Sequence, residues 1–147
     1  QGKDGEMLRQ RGMEFGTTTG RPRRCGWLDA VVLRYAARVN GLTELAITKL
    51  DVLDEFPTIK ICTAYRYKGR SLSEFPATIS MLDQCEPEYI ELPGWQQDLS
   101  QVTAYTELPV NARSYLARIE ELTGVKQALI AVGPEREQTI VIDRLYR

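Results

Sequence analysis

The chain has 147 residues, of which 43% are hydrophobic and 27% charged, and these proportions are typical of one globular domain. No apolar run approaches the roughly 20 residues that span a bilayer, and the net charge of −1 argues against binding to nucleic acid. Histidine is absent from the sequence, which excludes Ser-His-Asp catalysis, Cys-His catalysis and His-ligated metals within this chain.

The amino-terminal part of the chain is predicted to contain one long helix. Residues 1–20 are rich in Gly, Thr and charged residues without sustained periodicity, and residues 17–22 predict a loop. Residues 27–39 are apolar over most of a helical surface and predict a largely buried helix. Asp29 would lie in its first turn, where a carboxylate suits the helix dipole, and Gly41 follows as a C-terminal stop.

The rest of the chain mixes strands with a second helix. Residues 109–123 predict a helix, because apolar side chains recur at helical spacing, Pro109 suits a first helical position and Gly124 suits a C-terminal cap. Strands are predicted at 44–50, 58–67, 88–92, 127–132 and 139–142. In the second of these, alternate residues from Ile59 to Tyr67 share one face. This order of elements predicts an α/β fold.

The cysteines indicate a reducing environment. Cys25, Cys62 and Cys85 are odd in number, far apart and without any CxxC pair. This pattern argues against a disulfide framework or a zinc site. We therefore expect reduced thiols in a cytoplasmic protein.

Residues 16–26, GTTTGRPRRCG, have the composition of an anion-binding loop. The threonines supply hydroxyl groups, and the glycines let the backbone approach a ligand closely. Arg21 and Arg23 flank Pro22, whose ring stiffens the loop, and the two guanidinium groups suit bidentate binding of carboxylate or phosphate. The helix predicted to start near Trp27 would add its positive N-terminal dipole. The alternative is a solvated loop whose arginines pair with scattered acids.

Residues 48–51, TKLD, follow a predicted strand and resemble the NKxD guanine motif. The carboxylate of Asp51 can accept hydrogen bonds from the adjacent N1–H and N2–H₂ groups of guanine, a donor pair that adenine lacks. The stem of Lys49 can cover the plane of the base. Ligands bind beyond the carboxyl ends of strands in open α/β sheets. The alternative is that Asp51 only caps a turn.

Residues 131–133, Ala-Val-Gly, also follow a predicted strand. Gly133 permits close contact with a flat ligand. The alternative is an ordinary turn at Gly133 and Pro134.

Taken in order, these segments resemble adenylosuccinate synthetase along almost the whole chain, and TTTGRPRRCGWLD at 17–29 is the most specific of them. The matching runs are 14–36, 40–54, 59–69, 87–95, 108–125 and 131–140. The resemblance implies the C-terminal part of a P-loop-NTPase-like mixed-sheet synthetase fold. Residues 1–147 would form the C-terminal region of that fold, cut from a longer chain.

The resemblance implies a GTP-dependent ligase that forms adenylosuccinate from IMP and L-aspartate, the first committed step from IMP to AMP in purine biosynthesis. A cytoplasmic homodimer that uses Mg²⁺ is implied with it. The implied aspartate and IMP ligands are Thr17, Thr18, Thr19, Gly20, Arg21, Pro22 and Arg23. The implied GTP-binding residues are Arg23, Lys49, Leu50, Asp51, Ala131, Val132 and Gly133.

The sequence departs from the family pattern in two ways. Ala131 stands where the family commonly has Ser or Thr, so a hydroxyl contact would be lost. The family's glycine-rich phosphate loop, catalytic aspartate and histidine, and Mg²⁺ ligands match nothing in the 147 residues. We therefore expect no catalytic residue in this chain and no activity from it alone. The alternative is a non-catalytic module that binds guanine nucleotides or anions.

Overall fold

The structure is a computed structural model that describes residues 2–142 and has a mixed α/β architecture. The helices are α1 (Lys3–Arg11), α2 (Ala30–Asn40), α3 (Ile79–Leu82) and α4 (Val110–Thr123). The strands are β1 (Leu28–Asp29), β2 (Glu44–Ile47), β3 (Thr58–Tyr67), β4 (Arg70–Leu72), β5 (Glu86–Pro93), β6 (Lys126–Ala131) and β7 (Thr139–Val141). Short 3₁₀ helices lie at Leu50–Leu53, Tyr105–Glu107 and Arg136–Gln138. The predicted α/β class is confirmed.

The strands form two small sheets. The long strand β3 is the centre of the first sheet and pairs antiparallel with β5 and β4 and parallel with β1. The second sheet has the order β2-β6-β7, with β2 and β6 parallel and β6 and β7 antiparallel. Both parallel and antiparallel ladders therefore occur in each sheet.

One hydrophobic core joins the two sheets. Ile59 and Ile61 of β3, Ile130 of β6, and Leu116 and Ile119 of α4 belong to the same buried cluster. Burial of large aliphatic side chains stabilises a fold by roughly 1.5–3 kcal/mol each. The shared core holds the carboxyl ends of β2 and β6, where the candidate site lies, against the first sheet.

The helix predicted at 27–39 begins at Ala30, so the predicted start is wrong. Leu28 and Asp29 pair with β3 as a strand instead. Asp29 then acts as the N-cap, and its Oδ1 accepts hydrogen bonds from the N–H groups of Val31 and Val32. The predicted stop is confirmed, since Gly41 adopts a left-handed conformation with φ of 62°.

Helix α1 (Lys3–Arg11) was not predicted, whereas the loop predicted at 17–22 is confirmed as a turn. Only Leu8 of this helix is buried, so the sequence shows little apolar periodicity. Tertiary contacts hold the helix instead. The indole Nε1 of Trp27 donates to Asp4 at 3.2 Å, and Arg11 Nε donates to the carbonyl oxygen of Val52 at 2.9 Å.

Most of the other predicted elements are confirmed, with shifted ends. Strand β3 has the predicted limits, although a register shift between Cys62 and Ala64 interrupts its alternation and buries Cys62. Strand β2 ends at Ile47, earlier than predicted, because the chain turns at Lys49. The predicted helix at 109–123 begins at Val110, and strands 88–92, 127–132 and 139–142 correspond to β5, β6 and β7. Strand β4 and helix α3 were not predicted.

Within residues 2–142, no helix has the length and apolar character needed to cross a membrane. The three cysteines are free thiols, as predicted. Burial raises the pKa of the Cys62 thiol to about 11, which keeps it protonated at neutral pH.

Candidate functional site

The two segments predicted to bind guanine leave the same edge of one sheet. Strands β2 and β6 are parallel neighbours, and Ile47 pairs with Ile130 at their carboxyl ends. Residues 48–51 and 131–133 therefore emerge side by side. In open α/β sheets this edge is where ligands bind. The structure brings together two segments that lie about eighty residues apart in the sequence.

In the turn after β2, the side chain of Lys49 is exposed and the side chain of Leu50 is buried. Lys49 adopts the left-handed conformation with φ of 59° and starts the short helix Leu50–Leu53. The side chain of Leu50 is 1% exposed and packs in the core, so only its backbone can contact a ligand. Lys49 itself is exposed.

Asp51 has a buried carboxylate oxygen without a partner. Among the described residues, nothing donates a hydrogen bond to its Oδ1. Buried polar atoms in native proteins almost always have partners, so this oxygen calls for a donor that the described residues do not supply. The backbone carbonyl of Asp51 is already used, since it accepts from the N–H of Asp54 at 3.1 Å.

Val132 and Gly133 form a compact turn beside this edge. The N–H of Val132 donates to the carbonyl of Gln138 at 2.8 Å, so this donor is not free for a ligand. A Cβ on Gly133 would lie 2.1 Å from Oε1 of Gln138. The absence of a side chain at Gly133 therefore lets Gln138 fold over the turn. Ala131 ends β6 and pairs with Thr139.

The arginine-rich segment forms a hairpin. Phe15 pairs antiparallel with Pro22, and the N–H of Gly16 donates to the carbonyl of Arg21 at 2.8 Å. Gly20 closes the turn with φ of 64°, a conformation that glycine adopts without strain. The predicted ligand-binding side chains at the turn are exposed: Thr17, Thr18, Thr19 and Arg21.

The prediction that a helix dipole adds to this loop is wrong. Helix α2 starts at Ala30 rather than at Trp27, after the strand β1. Its first free N–H groups are occupied by the Asp29 carboxylate. A negatively charged cap already satisfies that N-terminus, so it is not available to an anion at the hairpin.

Glu14 joins the hairpin to the turn after β2. Its Oε2 accepts a hydrogen bond from Nη1 of Arg23 at 3.0 Å, and its Oε1 accepts one from Nζ of Lys49. The same ammonium donates to the carbonyl oxygen of Gly12 at 2.6 Å. The hydrogen bond from Lys49 and then that from Arg23 hold the pKa of the Glu14 carboxyl below its ordinary value. Glu14 is therefore a carboxylate shared by two cations at neutral pH.

A cavity of about 400 Å³ opens at this junction. Its lining combines the three charged groups with apolar side chains, including Trp27, Val52 and Tyr115. Three larger clefts among residues 2–142 are lined by none of the predicted site residues. Of the predicted site residues, Arg23 and Lys49 line the cavity at Glu14.

A model of the adenylosuccinate synthetase family matches residues 1–140. The chain belongs to the adenylosuccinate synthetase family. It is 70% identical over 142 residues to the adenylosuccinate synthetase of Syntrophomonas wolfei subsp. wolfei, a match that covers 97% of this chain and 33% of that protein. The adenylosuccinate synthetase of Moorella thermoacetica is 59% identical over 142 residues, with the same coverage.

A solved structure confirms the synthetase fold. The fully ligated adenylosuccinate synthetase from Plasmodium falciparum superimposes with a TM-score of 0.91 at 37% sequence identity, covering 97% of this chain and 34% of that one. The chain spans about a third of the length of the curated relatives that it matches.

Within this adenylosuccinate synthetase family fold, sequence reasoning missed Glu14 and Gly12. Both lie in residues 1–20, where no helix or strand was predicted. A usable signal existed, since Glu14 is an acidic residue just before the hairpin that carries Arg23. Its second partner, Lys49, is remote in sequence and was not predictable without the fold.

Between Gly2 and Ile142, no group of three or more His, Cys, Asp or Glu side chains is placed to hold a metal ion. At the candidate site, the carboxylate of Glu14 accepts hydrogen bonds from two cations.

Proposed function

We propose that this chain supplies the aspartate-binding loop and the guanine-binding edge of a GTP-dependent ligase that forms adenylosuccinate from IMP and L-aspartate. The observation that carries the proposal is the unpaired, buried Oδ1 of Asp51 at the carboxyl edge shared by β2 and β6. Membership of the family supports the reaction class.

At the guanine-binding edge, Asp51 would accept hydrogen bonds from N1–H and N2–H₂ of the base. Adenine offers no such donor pair, so a site that depends on these bonds discriminates strongly. Lys49 would cover one face of the base with its aliphatic stem, since its ammonium is directed to Gly12 and Glu14. Residues 131–133 and the backbone of Leu50 would line the remaining sides.

At the hairpin, Arg21 and Arg23 would bind the carboxylates of aspartate. Guanidinium groups bind carboxylates with two parallel hydrogen bonds, which fix the orientation of the amine that attacks. The hydroxyl and N–H groups of Thr17 to Thr19, on the turn closed by Gly20 and stiffened by Pro22, would bind the same ligand. Arg21 would also reach the IMP ribose, and Arg23 would lie near GTP.

The reaction would proceed in two steps. The γ-phosphoryl group of GTP is transferred to the 6-oxygen of IMP, and the amine of aspartate then displaces the phosphorylated oxygen. Mg²⁺ would neutralise phosphate charge when bound, with ligands outside this chain. The hairpin and the guanine-binding edge would bind and orient aspartate and GTP, and Arg21 would also contact IMP. The reacting acid and base would also lie outside residues 1–147, in a cytoplasmic homodimer that serves AMP biosynthesis.

Turnover by the full-length protein that contains this chain tests the proposal. A second route is a chimera in which the matching 142 residues of the Syntrophomonas wolfei protein are replaced by those of this chain. We expect adenylosuccinate, followed by its ultraviolet absorbance, only when IMP, L-aspartate and GTP are all present. The parent Syntrophomonas protein is the positive control. A folded full-length protein and a folded chimera without turnover would contradict the proposal.

A further inference from the structure

The carboxylate of Glu14 binds one cation from each of the two predicted ligand-binding segments. Arg23 belongs to the hairpin and Lys49 to the turn after β2, and they bind opposite oxygens of the same side chain. The carboxylate is about one-fifth exposed, whereas its two partners are each more than half exposed. Glu14 is therefore the more enclosed, central member of the group.

The backbone holds Glu14 in place. Its N–H donates to the carbonyl of Arg9 at 2.9 Å, at the end of α1, and its carbonyl accepts from the N–H of Arg23 at 3.0 Å. Arg23 is thus bound to Glu14 through both its main chain and its side chain. A side chain held at both ends loses little further conformational freedom when a ligand binds.

Arg23 retains free binding capacity in this arrangement. Within residues 2–142, only Nη1 of its guanidinium group has a hydrogen-bond partner, and the side chain is 57% exposed. A guanidinium group has five N–H donors, so the Nη2 and Nε edge can bind a carboxylate while Nη1 stays on Glu14. Arg23 and Lys49 together carry one more charge than the Glu14 carboxylate neutralises, so the group still attracts an anion. Glu14 therefore orients Arg23 without blocking it.

We propose that Glu14 is a positioning residue that fixes Arg23 for the substrate carboxylate and transmits changes at the guanine-binding turn to it through Lys49. This inference rests on the proposed function. A displacement of Lys49 leaves Glu14 with Arg23 alone and changes the geometry of the hairpin base. A ligand bound at the hairpin would change affinity at the turn after β2 by the same factor, because binding free energies at two coupled sites are reciprocal.

Steady-state kinetics of the full-length protein test this role. In Glu14→Gln the side chain keeps its size but loses the charge that binds both cations. We expect the KM for aspartate to rise by about tenfold and kcat to change by less than about threefold, because an orienting contact in the bound state is lost rather than a reacting group. Glu14→Asp should recover part of the aspartate KM. Glu74→Gln is the matched control, since it breaks an Arg38–Glu74 ion pair outside the site and should leave every KM unchanged.

The coupling is tested by combining substitutions at the two ends of the link. We expect Lys49→Gln to raise the aspartate KM in the unsubstituted protein and to have little further effect in Glu14→Gln. Multiplicative effects of the two substitutions would overturn the coupling. An unchanged or lower aspartate KM in a folded Glu14→Gln protein would overturn the positioning role. If Glu14→Gln does not fold, an unchanged aspartate KM in Lys49→Gln alone overturns the inference.

The two proposals fail in distinguishable ways. Unsubstituted full-length protein that forms no adenylosuccinate overturns the proposed function and this inference together. Normal turnover with an aspartate KM that does not respond to Glu14→Gln overturns the inference only.

Discussion

The indole Nε1 of Trp95 donates a hydrogen bond of 2.7 Å to Oδ1 of Asp54, and both side chains are buried. The second carboxylate oxygen of Asp54 accepts from the N–H of Leu99 at 3.0 Å. Asp54 directly follows the short helix that carries Asp51, and its N–H donates to the Asp51 carbonyl. The Trp95–Asp54 pair therefore fixes the end of the turn after β2, the proposed guanine-binding turn, to the segment after β5.

Replacing Trp95 with Phe should destabilise the fold by about 2 to 4 kcal/mol, because the buried Asp54 carboxylate loses a donor and the smaller ring leaves space. The measurement is urea denaturation. Trp27→Phe is the matched control, since its indole donates to Asp4, which is only partly buried, and the cost should be smaller. Equal losses in the free energy of unfolding for the two substitutions would show that the hydrogen bond between Trp95 and Asp54 adds no extra stability.

Asp54 also predicts a dependence of stability on pH. Burial raises the pKa of its carboxyl, while the bonds from Trp95 and Leu99 oppose that rise. A folded-state pKa above the unfolded value means that this contribution to stability is present at low pH and is lost as pH rises through the folded pKa. In Trp95→Phe the pKa should rise further, so the loss should shift to higher pH. Denaturation midpoints measured across the acidic range, with Trp27→Phe alongside, test this shift, and identical profiles would contradict it.

Glu14 predicts the opposite dependence. Its carboxyl has a lowered pKa in the folded state, caused first by the hydrogen bond from Lys49. Stability from this group is therefore present above the unfolded pKa and is lost as pH falls through the folded one. The difference in melting temperature between the unsubstituted protein and Glu14→Gln should shrink as the pH is lowered from 7 towards the acid range. A difference that stays constant would show that the charge of Glu14 contributes nothing.

The hydroxyl of Tyr65 donates to Oδ2 of Asp29 at 2.5 Å, while Oδ1 of Asp29 caps α2. Tyr65→Phe should cost about 1.5 to 3 kcal/mol, because hydrogen bonds to charged groups contribute more than neutral ones. Tyr89→Phe, on the neighbouring strand β5, removes a hydroxyl from an exposed side chain and should cost less than about 0.5 kcal/mol. A similar loss in both variants, measured by chemical denaturation, would argue against the Asp29 contact.

A side chain at Gly133 should disturb the turn beside the guanine-binding edge. Its Cβ would lie 2.1 Å from Gln138 Oε1, so the Gln138 side chain must move and lose its bonds to Ser100 and Glu135. We expect Gly133→Ala to cost about 1 to 2 kcal/mol and to raise the KM for GTP in the full-length protein. For the stability measurement Gly26→Ala is the control, since nothing lies within 4 Å of its added Cβ. Equal effects at both glycines would contradict this packing argument.

Local patterns were sufficient to predict helix α4, the body and end of α2, and strands β2, β3, β5, β6 and β7. The alternation in β3, the helical spacing before Gly124 and the glycine stop after α2 are all properties of short segments. Helix α1 was missed because its stability comes from contacts with Trp27 and Val52, which are remote in sequence. The start of α2 was misplaced because pairing with β3 outweighs helical preference at Leu28 and Asp29.

In the candidate site, too, local motifs predict individual residues, whereas contacts between segments remote in sequence depend on the fold. Arg23, Lys49 and Asp51 were predicted from local motifs, since their chemistry is visible in the residue types. That Arg23 and Lys49 share the carboxylate of Glu14 depends on the sheets bringing the hairpin to the turn after β2, and no local pattern encodes it. Whether these residues bind aspartate and GTP stays a prediction.

Asp51 is proposed to accept hydrogen bonds from the guanine base. The nucleotide specificity of Asp51→Asn in the full-length protein tests this contact most directly. Asparagine can accept one hydrogen bond and donate another, which matches xanthine, whose C2 carbonyl replaces the guanine amine. We predict that Asp51→Asn raises the KM for GTP by about 100-fold or more and that xanthosine triphosphate restores turnover. Asp83→Asn, at an exposed position after α3, is the control. A GTP KM that is unchanged in Asp51→Asn, with no gain for xanthosine triphosphate, would contradict the account.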